Sequence, residues 1–125
     1  YGWEVHEYQI PVVVDGVYYC HNFPTGVMGK PIGGDNIGRA LLLKNKVSST
    51  VGHIHLFDYA MCALPSGKKL MGLSAGCYLH HKENYAKNTQ QMWWSGLIVK
   101  RNVDKGEYDL EMMEYNTIRR KYGKR

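Results

Sequence analysis

One stretch in the first half of the chain reads as a helix, and it lies between two β-prone runs. Asp35 or Asn36 supplies a capping side chain, and Ile37, Ala40, Leu41 and Leu43 supply an apolar face. Asn45 follows as a terminator. Val17-Tyr18-Tyr19-Cys20 precedes this helix and Val47-Ser48-Ser49-Thr50-Val51 follows it. Strand, helix and strand in this order form a β-α-β unit, which commits the N-terminal half to an α/β sheet.

Histidines stand at both strand ends of that unit. His21 follows Cys20, and Gly52-His53-Ile54-His55 follows Val51. Ligands of open α/β sheets bind outside the carboxyl ends of the strands, and neutral imidazole is a common transition-metal ligand. In an extended segment, residues two apart point the same way. His53 and His55 are therefore expected to address one site, as two ligands of one ion or one ligand for each of two. Gly52 is expected to give the backbone freedom to turn or to approach the site closely.

The remaining chain is mostly strand. Asp15-Gly16 between two β-prone runs signals a two-residue hairpin turn. Thr25 to Gly34 is a Gly- and Pro-rich loop that fits neither phosphate-binding fingerprint. Strands are expected over Leu56–Ala63, Lys69–Cys77, Met92–Arg101 and Glu107–Tyr115, the second of them thinned by small residues where other elements approach. Asn116-Thr117 is expected to cap a short terminal helix. Trp93 and Trp94, as neighbours in a strand, should face opposite sides, as core and second-layer cover; a base-stacking platform is the sharper alternative. Lys100-Arg101 reads equally as a phosphate contact or as a solvated strand end. Asp58 reads as a strand-face or turn carboxylate, with a supporting role to a ligating histidine as the alternative.

Composition fits a single globular domain of 125 residues, 44% hydrophobic and 22% charged. No apolar run is long enough for a membrane span, and no signal-peptide pattern opens the chain. Cys20, Cys62 and Cys77 form no C-x-x-C pair, which fits a reducing cytoplasmic setting. The net charge is +5, and five of the seven residues from Arg119 to Arg125 are basic. That tail permits a polyanionic partner and equally reads as a solvated basic end.

With these residues in view, the chain resembles the C-terminal half of a calcineurin-like metallophosphoesterase. Gly52-His53-Ile54-His55 looks like the closing G-H-x-H motif of that family, and Cys20-His21 looks like its lone preceding histidine. Val17 to Pro24, Gly72-Leu73, Trp93-Trp94-Ser95-Gly96 and Lys100 to Val103 are similar to a branch common in bacteriophage and prophage genomes. The resemblance implies half of a two-sheet α/β/β/α sandwich: the β-α-β unit, then a mainly antiparallel sheet from Leu56 to Tyr115. It implies that residues 1–125 are the C-terminal portion of one domain, with the D-x-H, G-D-x-x-D and G-N-H-D/E motifs upstream of Tyr1 or on another chain. His21 and His53 would bind one divalent metal ion and His55 a second, as Mn, Zn, Fe or Ni. The implied activity is phosphodiester hydrolysis, with nucleic acid as substrate, in the cytoplasm or in the host cytoplasm if phage-encoded. The isolated chain would hydrolyse phosphodiesters poorly or not at all without an N-terminal half. His6, His80 and His81 match no motif of the family. The competing reading is a non-catalytic basic module that binds nucleic acid or protein.

Overall fold

The computed structural model describes residues 2–80 and 83–123. The chain is mixed α/β. The first hairpin joins β1 (Val12–Val14) to β2 (Val17–Tyr19) through Asp15 and Gly16, both at positive φ, as the Asp-Gly signal requires. A short ladder, β3 (Pro24–Thr25) with β4 (Lys30–Pro31), occupies the Gly- and Pro-rich loop. Helix α1 (Ile37–Asn45) and strand β5 (Ser49–Val51) complete the expected β-α-β unit, and β5 pairs parallel to β2. Then β6 (Phe57–Ala63) and β7 (Lys69–Ala75) form a hairpin closed by a turn over Leu64–Lys68. After irregular 3-10 turns over Asn84–Met92 come β8 (Gly96–Asp104), β9 (Glu107–Glu114) and α2 (Tyr115–Tyr122).

The main sheet is five-stranded and mixed, in the order β1-β2-β5-β7-β6. The expectation of one antiparallel sheet from Leu56 to Tyr115 is therefore corrected. β7 pairs parallel to β5 and carries β6 into the first sheet, while β8 and β9 form a separate two-stranded sheet. The small residues of β7 explain its central place. Gly72 lies directly under Gly38 of α1, and a Cβ at either would run into the backbone of the other. Only glycine at both positions lets the helix sit this low on the sheet. The first turn of α1 is held from the sheet as well: the Gly38 N–H donates to Asp58 Oδ2 at 2.8 Å, while Asn36 at the cap position makes no side-chain bond. Asp58 is thus a helix cap reached across the sheet, not a partner of the histidines.

Alternation along the strands divides the core in two. Phe23, Ile32, Ile37, Leu41 and Val51 pack on the α1 side, and Val17, Met71 and Tyr108 pack on the β8–β9 side. Turn meets turn at one end of the second layer, where the Gly106 N–H donates to Asp15 O at 2.8 Å. Trp93 and Trp94 precede β8 rather than lying in it. Trp94 packs against Gly76 and Gly96, where no Cβ would fit, and against Phe57. At the end of β9, the Glu114 carboxylate accepts from the Thr117 N–H and caps α2, two residues before the expected Asn116. Cys20, Cys62 and Cys77 are free thiols. Among the described residues, no helix is long and apolar enough to cross a membrane.

Lys100 of β8 points inward between the layers, not outward as a strand end. Its Nζ donates to Thr50 Oγ1 at 2.6 Å and Tyr19 OH at 3.0 Å, and stands 4.1 Å from the centre of the Tyr19 ring. Arg101, on the outer face, pairs with Glu111. Burial lowers the Lys100 pKa from 10.5 to about 8. Between those values the unfolded chain holds more protons on Lys100 than the folded one, so stability rises with pH across the window. Tyr19, Tyr59 and Tyr108 are pushed above 10.0, chiefly by burial, and act in the opposite sense once the pH passes that value. Lys100→Met is expected to raise stability at neutral pH by on the order of 1 kcal/mol, after allowance for partial solvent exposure. It should also flatten the rise up to pH 10. Urea denaturation across this range checks both, and an unchanged slope would contradict the burial argument.

Candidate metal centre

Parallel pairing of β2 with β5 sets Tyr18 opposite Ser49 and Tyr19 opposite Thr50, so the two strands end level with each other. The backbone then ties the two following loops together. His21 O accepts from the His53 N–H at 3.1 Å and from the Gly52 N–H at 3.4 Å. This clamp brings His21 Nε2 to 2.9 Å from His53 Nδ1, with the rings nearly perpendicular at 73° and both exposed to solvent. Two neutral imidazoles make such a contact when one nitrogen is protonated and the other offers its lone pair.

His55 takes a different course. The chain leaves the extended conformation after Val51, so the two-residue alternation expected of His53 and His55 does not operate. His55 adopts φ 65°, a left-handed conformation uncommon for a side-chain-bearing residue. Its ring stands edge-on to Trp93, with centroids 4.3 Å apart, and its carbonyl accepts from the Trp94 N–H at 3.0 Å. The conformational demand expected at Gly52 falls here instead: Gly52 has no positive φ, and a Cβ on it would meet open space. Burial lowers the His55 pKa, the charges of His53 and His21 lower it further, and Glu83 opposes them. The three histidines thus share one electrostatic environment, although only His21 and His53 touch. A lowered pKa keeps His55 neutral, as a ligand must be, at physiological pH.

Metal–nitrogen bonds of about 2.0–2.1 Å put neighbouring ligand nitrogens roughly 2.8–3.4 Å apart, from right-angled to tetrahedral geometry. The His21–His53 separation of 2.9 Å fits two neighbouring ligands of one ion. The donor set ends there: among the described residues, no group of three or more His, Cys, Asp or Glu side chains is gathered to hold a metal ion.

A cavity of about 340 Å³ opens beside the pair, with Tyr8, Cys20, His21, Thr50 and Ala75 among its walls. The Tyr8 ring lies 5.6 Å from that of His21. Tyr8, Trp93 and Glu83 are neighbours of the site that motif reading missed, because none stands in a periodic pattern or at ligand spacing. None of the Gly- and Pro-rich loop residues lines this cavity. Away from the site, His6 lies 3.5 Å from Glu4, and His80 packs against Tyr115 and contacts Arg119. His81 lies outside the described residues.

No family model, no curated protein and no solved structure matches this chain.

The geometry makes a specific demand on binding. Co²⁺ titrated into the chain should bind weakly, with His21→Ala and His53→Ala each weakening it tenfold or more. His55→Ala should cost less, since its ring is turned to Trp93. Isothermal calorimetry separates the three variants, and equal losses in all three would contradict the pairing.

Proposed function

We propose that this chain carries the histidine portion of a dinuclear phosphoesterase centre acting on phosphodiesters, with nucleic acid as the favoured substrate. The observation that carries the reading is the 2.9 Å approach of His21 Nε2 to His53 Nδ1 at the level ends of two parallel strands. His21 and His53 would hold one divalent ion, of Mn, Zn, Fe or Ni, and His55 would serve a second. The contact between the first two, with His55 set apart on Trp93, supports that partition. Two such ions, when bound, polarise a phosphoryl oxygen and supply a nucleophile at neutral pH. The chain's own residues do the rest. The clamp through His21 O fixes the ligand nitrogens, the edge of Trp93 shields His55, and Tyr8 walls the side on which a substrate would enter.

Three neutral imidazoles bring no negative charge to offset two dications, so we infer that carboxylates from an N-terminal half complete the centre. Exposed apolar side chains support a partner of that kind. Trp3 is 85% exposed and Val5 89% in the N-terminal segment, and Leu97 and Val99 lie exposed on the outer face of β8. The favoured partition of the sandwich, with this chain as one half, rests on the same surfaces.

A second reading, a basic module that binds nucleic acid without cleaving it, draws on α2. Arg119, Arg120 and Lys121 are exposed in its last turn.

The test is hydrolysis of a chromogenic phosphodiester with Mn²⁺ present. The isolated chain is expected to turn over poorly, and an N-terminal half bearing the carboxylate motifs is expected to restore activity. In the restored enzyme His53→Ala should abolish turnover and His80→Ala should leave it unchanged. Full turnover in complemented His53→Ala would refute the assignment.

A further inference from the structure

Lys100 is a cation without an anion. Its ammonium sits between the five-stranded sheet and the β8–β9 layer, over the Tyr19 ring at 4.1 Å and the Tyr108 ring at 4.8 Å. Its hydrogen-bond partners are the hydroxyls of Thr50 and Tyr19, and none of the ion pairs among the described residues includes it. An ammonium drawn partly out of water is costly unless a counter-charge meets it, and here only neutral oxygens and aromatic faces do.

The donor arithmetic points the same way. An ammonium has three protons; two go to Thr50 Oγ1 and Tyr19 OH, and one is left. Each hydroxyl, having accepted from Lys100, keeps its own O–H to donate. The three side chains therefore present one N–H and two O–H donors from neighbouring positions. They do so at a cavity of about 280 Å³ lined by Tyr19, Thr50, Leu73, Ala75, Ile98 and Lys100. Nearby, the Tyr108 hydroxyl is buried in a residue only 5% exposed and makes no hydrogen bond of normal geometry, although Thr50 lies close enough to favour its ionised form slightly. The region thus holds a surplus of donors and no acidic acceptor.

We propose that Lys100, Thr50 and Tyr19 form a binding site for a phosphate-class oxyanion in the cavity between the two sheets. Donors arriving from three side chains suit a tetrahedral anion, and charge-assisted bonds from an ammonium are the strong ones. The site is separate from the histidine pair and needs no metal. The cavity beside His21 shares Tyr19, Thr50 and Ala75 as walls with this one, but no histidine lines the cavity at Lys100. Burial as the single cause of the lowered Lys100 pKa agrees with a cation that no carboxylate among the described residues offsets.

The experiment titrates inorganic phosphate into the full chain, held metal-free by chelator and at ionic strength fixed with chloride. The side-chain Cε–Hε resonance of Lys100 is followed by NMR and assigned by its loss in Lys100→Met. The expected result is a saturable shift of that resonance and an apparent Lys100 pKa that moves up from about 8 toward 10.5. Calorimetry should show binding lost in Lys100→Met and weakened several-fold in Thr50→Val and Tyr19→Phe, which keep the cation. A Lys100 resonance that phosphate does not move beyond the chloride control would overturn the proposal. So would phosphate binding that survives in Lys100→Met, or that disappears in His53→Ala, which would put the anion on the histidines.

Discussion

Two residues of parallel pairing hold the candidate site together. Tyr18 beside Ser49 and Tyr19 beside Thr50 make β2 and β5 end level, and only level ends let His21 O take both the Gly52 and the His53 N–H. Parallel strands need a crossover, and here the crossover is α1, pressed so close to β7 that Gly38 and Gly72 leave no room for a side chain. Asp58, donated by β6 across the sheet, satisfies the start of that helix. The histidine contact is therefore the last link of a chain that begins with two glycines and a carboxylate far from it in sequence.

The same sheet carries two groups of polar side chains, the histidines past its carboxyl ends and Lys100 with its hydroxyls between the layers. At its carboxyl edge, the exposed imidazoles of His21 and His53 meet without a carboxylate in contact with either, although Glu7 lines the adjoining cavity and Glu83 lies near His55. Between its layers, a cation is held by hydroxyls and aromatic rings. At Lys100 no carboxylate meets the ammonium among the described residues, and that is the charge a phosphate-class anion supplies. Lys100 costs the fold stability, because its ammonium is drawn partly out of water with only hydroxyls and aromatic faces to meet it.

Much of this architecture was legible locally. Asp15-Gly16 turns as its chemistry demands, α1 falls between its two strands, and His21 and His53 stand just past the strand ends where the β-α-β reading put them. What was not legible depended on tertiary pairing. Strand alternation cannot say which neighbour a strand chooses, so β6 and β7 were assigned to the wrong sheet; the glycine at position 72 that places β7 centrally acts through a helix some thirty residues earlier. Lys100 obeys the alternation of β8 but inverts its polarity, facing inward while Leu97 and Val99 face solvent. His55 was read as continuing an extended segment, but the chain turns at its motif, and a left-handed histidine leaves no trace in a one-dimensional pattern.

The measurement that tests the central claim most directly is a long-range ¹H–¹⁵N correlation spectrum of the imidazole nitrogens during addition of Zn²⁺. The account predicts that His21 Nε2 and His53 Nδ1 respond together, at one stoichiometry, while the nitrogens of His6 and His80 stay where they were. A response confined to either member of the pair, or one led by His6 or His80, would contradict it.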